Sequence, residues 1–565
     1  GTHTGAFQFR ASPYFYLRAC MNPKNNNGAT ALVKAFETAG ITKIFTLSGN
    51  HIMPVYDALF DSQIDLIHTR HEGAAVHMAD AWARLTGEVG IALVTGGPGH
   101  ANAVSALYTA SMAESPVVLL SGHAPLAQLG KGAFQEMRQT DIAAPLTKAS
   151  WACQKTEDIG LDIAKAIRIA KSGRPGPVHL SLPTDIIETA LPQSTPMPTV
   201  SYFDAEPVQP QNSDISSILE KLRQASKPLV LAGPQMLSQI GKTLLSQLES
   251  ALGVPVIGME SPRGIADPSL GAFSEILSQS DCVLLLGKKI DFTLKFAQSP
   301  GFNTSCVFLQ IDPETEEIQR AKNALGQRLV QSTISDIPSA IKTILRLNSS
   351  SSITQSDWQK EVAAAIAFQP PSWSTLSSSK GKLHPVHALA PLQEILDSHP
   401  DSVLISDGGE IGQWAQACLR APNRVINGVA GSIGAGLPFA TAASIAKPNT
   451  PIIAVMGDGT FGFHSAEIDT AVRYQLPFVL IVGNDAKWNA EYQIQVRDYG
   501  QDRTLGCELL PSRYEKVCEA FGGHGEYVDD VNEVLPAAKR ALASKLPSCI
   551  NIMIDGLPAP NIKRT

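Results

Sequence analysis

Pro451-Ile452-Ile453-Ala454-Val455-Met456-Gly457-Asp458-Gly459-Thr460 is the stretch that decides the fold of this 565-residue chain. An apolar run ends there in Gly-Asp-Gly. A second apolar run, Pro477 to Val482 (PFVLIV), leads into Gly483-Asn484-Asp485-Ala486-Lys487-Trp488, so that Asp485 follows Asp458 by 27 residues. Both runs read as buried parallel strands, and Ser465 to Tyr474, with Ile468, Ala471 and Val472 on one face, reads as the crossover helix between them. In such sheets ligands lie beyond the carboxyl ends of the strands. Asp458 and Asp485 are therefore expected to meet there, beside a helix N-terminus suited to phosphate, as ligands of a Mg2+ that anchors a diphosphate. A bare Gly-Asp-Gly is most often only a turn, so the weight falls on the rest of the chain.

The same alternation extends in both directions. Lys43 to Leu47, Asp65 to Thr69, Ile91 to Thr95, Val117 to Leu120 and Val178 to Leu182 form one set of strand-like runs. Leu229 to Ala232, Val254 to Ile257, Val283 to Leu286 and Val307 to Ile311 form a second, and Val403 to Ile405 joins the opening pair in a third. The pattern predicts an α/β protein of three doubly wound parallel-sheet domains. Polar, Pro- or Ser-rich stretches divide them, giving an N-terminal extension over 1–21, domains over 22–190 and 191–346, a linker over 347–382 and a last domain over 383–565. Trp358 and Trp373 in that linker predict that it packs on the protein surface.

Hydrophobic residues make up 44% of the chain and charged ones 17%, with a net charge of -7, which fits a large globular enzyme and argues against a nucleic-acid binder. The eight cysteines (Cys20, Cys153, Cys282, Cys306, Cys418, Cys507, Cys518 and Cys549) form no C-x-x-C pair, and read as reduced core thiols. No apolar stretch reaches the roughly 18 to 20 residues that span a bilayer. A soluble, cytoplasmic protein is expected. Organellar import stays open, because residues 1–20 carry arginines without acids and precede Met21; they read as a transit remnant, an expression scar or sequence upstream of the true start.

His68-Thr69-Arg70-His71-Glu72-Gly73-Ala74-Ala75 ends a strand and opens a helix. Taken alone, Glu72 there is a helix cap. Together with the Gly-Asp-Gly and Asn-Asp segments, however, the chain resembles the thiamine diphosphate (ThDP) enzymes of the acetolactate synthase and benzaldehyde lyase group over nearly its whole length. The resemblance implies a pyrimidine-binding domain, a middle Rossmann-like domain and a diphosphate-binding domain, in that order. It makes Glu72 the group that pairs with N1' of the aminopyrimidine and promotes the tautomer that removes the cofactor's C2 proton. It places Asn102, Gly408, Gly409, Glu410, Gly431, Gly457, Asp458, Gly459, Thr460 and Asp485 around the cofactor, with Ile433 as the apolar wedge beneath its bend. Asp458, Asp485 and the main-chain carbonyl of Lys487 become the Mg2+ ligands.

One departure is Asp485 itself, where the family usually has Asn; the added charge tightens the metal or weakens the diphosphate. Ser48, His100 and Trp488 are expected to border the substrate pocket, with a structural role for His100 (and for His123) weighed at least equally, and Gln135 to orient a carbonyl or alkoxide. His51 stands where acetolactate synthases have a small residue and benzaldehyde lyase a histidine, so it is read as a proton carrier, against the plainer reading of a turn cap. FAD or an adenine nucleotide in the middle domain is open: Gly287-Lys288-Lys289-Ile290-Asp291-Phe292 has lysine where the FAD enzymes have arginine.

The activity implied is a lyase, carboligase or transferase acting on 2-oxo acids, aldehydes or acyloins (2-hydroxy ketones), as a homodimer or homotetramer with Glu72 of one subunit facing the cofactor of another, without nucleic acid or membrane as partner. A 2-oxo acid decarboxylase, a 2-hydroxyacyl-CoA lyase and a catalytically silent ThDP fold are the alternatives. A dehydrogenase is disfavoured, since no G-x-G-x-x-G opens the first strand-helix unit.

Overall fold

The computed structural model describes residues 26–348 and 356–564; the expected N-terminal extension, Cys20 and part of the expected linker lie outside them. Three sheets are built from seventeen strands, and every pairing between these strands is parallel. The first sheet contains β1 (Lys43–Thr46), β2 (Asp65–His68), β3 (Gly90–Val94), β4 (Val117–His123), β5 (Ser150–Ala152) and β6 (Val178–Pro183), in the order β2-β1-β3-β4-β6-β5. The second contains β7 (Pro228–Ala232), β8 (Val256–Gly258), β9 (Cys282–Leu286), β10 (Val307–Asp312) and β11 (Leu329–Ile334), in the order β11-β10-β9-β7-β8. The third contains β12 (Val403–Ser406), β13 (Asn423–Ile426), β14 (Ile452–Gly457), β15 (Phe478–Asn484), β16 (His524–Val528) and β17 (Pro547–Met553), ordered β13-β12-β14-β15-β17-β16. The first and third sheets thus share one topology.

These two sheets are also joined by one core. The helix Glu72–Thr86 lies against the helix Gly436–Ala446, where Ala74, Ala75 and Ala79 meet a wall containing Phe439, Ala440 and Ala443. Alanines let the two helices approach closely, and aromatic Phe439 fills what they leave. Arg84 crosses the seam, paired with Asp80 at 2.7 Å and donating to the carbonyl of Ile426. The second sheet is attached through Arg174. This arginine, 5% exposed, pairs with Glu114, with Asp312 at 2.7 Å and with Glu314 at 3.1 Å, and donates to the carbonyl of Gly287.

The segment expected to pack on the surface goes deeper than that. Trp358 opens the helix Asp357–Ala367, belongs to the core of the second sheet and donates its indole N–H to the carbonyl of Pro228. Trp373 meets Trp414 of the last domain with ring centroids 5.5 Å apart. Seven cysteines are free thiols, and among the described residues no helix is long and apolar enough to cross a membrane.

Candidate active site

The register of β14 on β15 pairs Gly457 with Gly483. Asp458, one residue on, and Asp485, two residues on, are thereby carried to the same end of the sheet. Asp458 is 2% exposed, and neither of its carboxylate oxygens accepts a well-formed hydrogen bond. The N–H groups of Gly459 and Asp485 lie close enough to favour its anion only slightly. Burial raises the pKa of both aspartates, and for Asp485 the neighbouring Asp458 raises it further. Two buried acids in mutual contact are relieved either by a proton shared between them or by a cation. Ala486 turns the chain at a φ of +55°, and Lys487 forms an isolated antiparallel bridge with Glu508. No main-chain hydrogen bond ends on the Lys487 carbonyl oxygen among the described residues.

Beside this pair the backbone comes close to itself. Gly409, at a φ of +90°, presses on Gly457, where an added Cβ would lie 3.1 Å from the Gly457 Cα. A Cβ at Gly408 would collide with Ile433 and lie 2.8 Å from Thr460 Oγ1, so Ile433 stands on the glycine with part of its surface free. Trp488 packs on Gly459, and its ring meets Phe463 edge-on at 6.4 Å. The loop carrying Ile433 is held by Asp407, whose buried carboxylate accepts from the main-chain N–H of Gly408 at 2.7 Å, Gly434 at 3.1 Å and Gly436 at 2.7 Å. Burial outweighs these three donors and pushes Asp407 up to about 6.

A second cluster forms at the ends of β1 to β4. The cap of the helix Glu72–Thr86 is His71, whose Nδ1 accepts from the Gly73 N–H at 2.9 Å. Glu72 is thus relieved of capping, and its carboxylate accepts from Asn102 Nδ2 at 3.0 Å. Gly97, at a φ of +61°, carries Gln135 against it, and Gln135 itself sits at +58°. Gln139 ties this corner together, accepting from the Gly97 N–H and donating to Ser181 and to the Gly122 carbonyl. His51 is buried, with Nδ1 3.3 Å from Thr95 Oγ1 and its ring stacked on Phe134 at 5.9 Å. Burial lowers its pKa, against a hydrogen bond from its ring to the Phe134 main-chain carbonyl.

These two strand-end clusters coincide with what comparison finds. Family models described as thiamine pyrophosphate enzyme match the chain in three parts: an N-terminal TPP binding domain over residues 26–142, a central domain over 215–333 and a C-terminal TPP binding domain over 407–552. A protein described as probable acetolactate synthase from Mycobacterium bovis is 30% identical over 535 residues, covering 93% of this chain and 95% of that protein. The chain belongs to the thiamine pyrophosphate enzyme family. Also similar are 2-hydroxyacyl-CoA lyase 2 from Caenorhabditis elegans, 29% identical over 93% of this chain and 87% of the relative, and that of Homo sapiens, 29% identical over 94% and 90%.

As a thiamine pyrophosphate (ThDP) enzyme, the chain keeps its two clusters in separate domains, and Glu72 finds its hydrogen-bond partner, Asn102, in its own. The seam between the domains runs through neighbours of Glu72. Arg70 N–H donates to Glu467 at 2.9 Å, and the His71 and His464 rings lie 5.5 Å apart. Three expected residues sit differently from their forecast roles. His100 is fully buried, with Nε2 donating to the Gln139 carbonyl and Nδ1 at 2.6 Å from Ser121 Oγ, so it supports the Gly97 corner from below instead of facing a pocket. Ser48 is turned to the ring of His68, at 3.1 Å. The Glu410 side chain leaves the diphosphate end: it meets Arg263 at 3.4 Å and accepts from the Ala559 N–H. Gly431, at a φ of +68°, is exposed near Pro262 of the central domain. Asp407 and Gln139 are residues that sequence reasoning missed. The signal for Asp407 was present, as an acid closing a strand immediately before two glycines.

Proposed function

We propose that the protein is a ThDP- and Mg2+-dependent lyase or carboligase that makes or breaks the carbon-carbon bond next to a carbonyl, in 2-oxo acids or 2-hydroxy ketones. The observation that carries this reading is Asp458, a buried carboxylate that accepts no well-formed hydrogen bond at the end of β14, facing Asp485 beside the Gly408, Gly409 and Ile433 cradle. A divalent cation fits that donor set: two carboxylates and the Lys487 carbonyl are hard oxygen ligands. Bound there, ThDP supplies the nucleophilic carbon and the electron sink for the reaction.

The chain's own residues do the rest. Asp458 and Asp485 hold the cation, and the amides around Gly408 and Gly409 approach the diphosphate. Ile433 supports the cofactor from below, and Asp407 holds Ile433 in place. Glu72 would exchange a proton with the aminopyrimidine of the bound cofactor, with Asn102 fixing its orientation, and His51 would accept a proton from a substrate hydroxyl. Gln135 orients the substrate oxygen. Glu72 acts on the cofactor of a partner subunit in a homodimer or homotetramer, which makes one chain an incomplete site. We place the enzyme in the cytoplasm or an organelle.

A second reading, a 2-hydroxyacyl-CoA lyase, is favoured by a cavity of about 500 Å³ between the central and last domains, lined by Arg263, Glu410, Gln413, Arg497 and Pro558 to Ile562. An extended anionic tail fits such a cleft better than pyruvate does. Proton NMR of products from the ThDP- and Mg2+-loaded protein, given pyruvate, an aromatic 2-hydroxy ketone or a 2-hydroxyacyl-CoA in separate tubes, tests both. Aldehyde from the hydroxy ketone supports the first reading and aldehyde from the thioester the second. No turnover of any of the three would defeat both.

A further inference from the structure

Two features of the Asp458 corner bear on the order in which its ligands arrive. The first is that Asp458, 2% exposed, accepts no well-formed hydrogen bond on either carboxylate oxygen. The second is that the residue facing it is another acid, where an amide would serve equally well as a neutral oxygen ligand. The nearest cation in the chain, Lys487, is turned to the Tyr492 ring, with its ammonium 4.8 Å from the ring centroid. No cluster of three or more His, Cys, Asp or Glu side chains able to hold a metal exists among the described residues. The corner therefore suits a hard cation that completes its shell with main-chain and solvent oxygens.

Charge decides what such a cation needs next. Two carboxylates neutralise a divalent ion completely, whereas one carboxylate and one amide leave it with a positive charge that only an incoming diphosphate can balance. We propose that Asp485 gives this corner enough charge to hold a divalent cation before any diphosphate is present, so that the cation loads first and the diphosphate second. The inference rests on the cofactor reading above, and it makes the protein, rather than the diphosphate, the carrier of the metal. Its corollary is an inverse effect. Neutralising position 485 weakens the cation and, with the cation saturating, leaves the diphosphate bound as tightly or more tightly, because the metal keeps more of its charge.

The test uses the full chain, stripped of cations with a chelator and free of ThDP, with Mn2+ as the probe and free Mn2+ counted by electron paramagnetic resonance. The parent is expected to bind Mn2+ alone, and Asp485→Asn to bind it about tenfold or more weakly, the loss of one unit charge at contact distance. Asp485→Glu, which keeps the charge, is expected to recover part of the affinity; a variant that merely disturbed the fold would not be rescued. Equal Mn2+ affinity in the parent and Asp485→Asn, or a parent that takes up Mn2+ only after ThDP is added, overturns the proposal. A parent that binds Mn2+ alone yet never binds ThDP would defeat the cofactor reading and, with it, the order of loading, leaving only a cation site.

Discussion

The first and third sheets repeat one strand order and end in opposite chemistry. The residue after β14 is Asp458 and the residue after β15 is Asp485; after the topologically equivalent β3 and β4 stand Thr95 and Ala124. The acid of the first sheet arises elsewhere, beyond β2, where Glu72 receives one donor from Asn102. The ends of β3 and β4 carry hydrogen-bonding groups instead of acids: Thr95 beside His51, Gln139 on the Gly97 N–H, and His100 beside Ser121. One strand-end corner thus brings two buried acids together, and the other holds a single carboxyl in a defined orientation. A shared topology fixes where a ligand can sit, and the first residue past each strand decides what the ligand is.

Four substitutions probe that contrast. Glu72→Gln keeps the shape and the Asn102 contact, and is expected to lower turnover by about 100-fold to 10,000-fold while leaving the thermal melt and ThDP binding near those of the parent. Unchanged turnover would remove the first corner from the chemistry. Asp458→Ala strikes the other corner. In ThDP and Mg2+, each at about 100 times its dissociation constant, the parent should gain about 5 kcal/mol of stability. The variant should gain none, as read by melting with and without the two ligands.

Glu467, on the seam between the two domains, gives a pH signature. Burial pushes it up to about 7, against hydrogen bonds from Thr470 and the Arg70 N–H. An acid whose folded pKa lies above its unfolded value contributes stability that is complete below the unfolded pKa and is lost as pH rises through the folded one. Glu467→Gln should therefore match the parent near pH 5 and exceed it by about 1 to 3 kcal/mol above pH 8, in denaturant titrations at each pH. Parallel curves at all pH values would place the charge of Glu467 in solvent. The smallest effect is expected of Thr95→Val, which removes the hydroxyl beside His51 and should cost about 1 kcal/mol of stability. If turnover of a hydroxy ketone then falls while that of pyruvate does not, His51 is the proton carrier for the former.

Much of this was legible in the chain. The runs expected to be the opening strands emerge as Ile452–Gly457 and Phe478–Asn484, and their crossover as the helix Glu467–Arg473. Uninterrupted apolar runs are what a sheet covered on both faces requires, so they are easily read. The strands that escaped notice fail that condition. β5, β11, β13 and β16 are edge strands with partial exposure, and β17 is central yet interrupted by Ser548 and Asn551. Both polar side chains are satisfied inside the fold, Ser548 by the carbonyl of Leu546 and Asn551 by Glu515 and the carbonyl of Ser512.

Of the candidate residues, the position of Asp458, Asp485 and the Glu72 segment at strand ends was legible, because apolar runs stop just before them. The cap on the helix Glu72–Thr86 was not, since both His71 and Glu72 are able to cap and only the folded geometry chooses. Glu410 looked like a diphosphate neighbour, and its true partners, Arg263 and the Ala559 N–H, lie 147 and 149 residues away in sequence. Contacts of that range leave no local pattern to read.

The central claim is that the ends of β14 and β15 hold a divalent cation and, through it, a diphosphate. Calorimetric titration of ThDP into chelator-stripped protein, with and without added Mg2+, tests it most directly. The account predicts one ThDP bound per chain, with an affinity that collapses when Mg2+ is withheld. Absence of ThDP binding in saturating Mg2+, or equal affinity in its presence and absence, would contradict it.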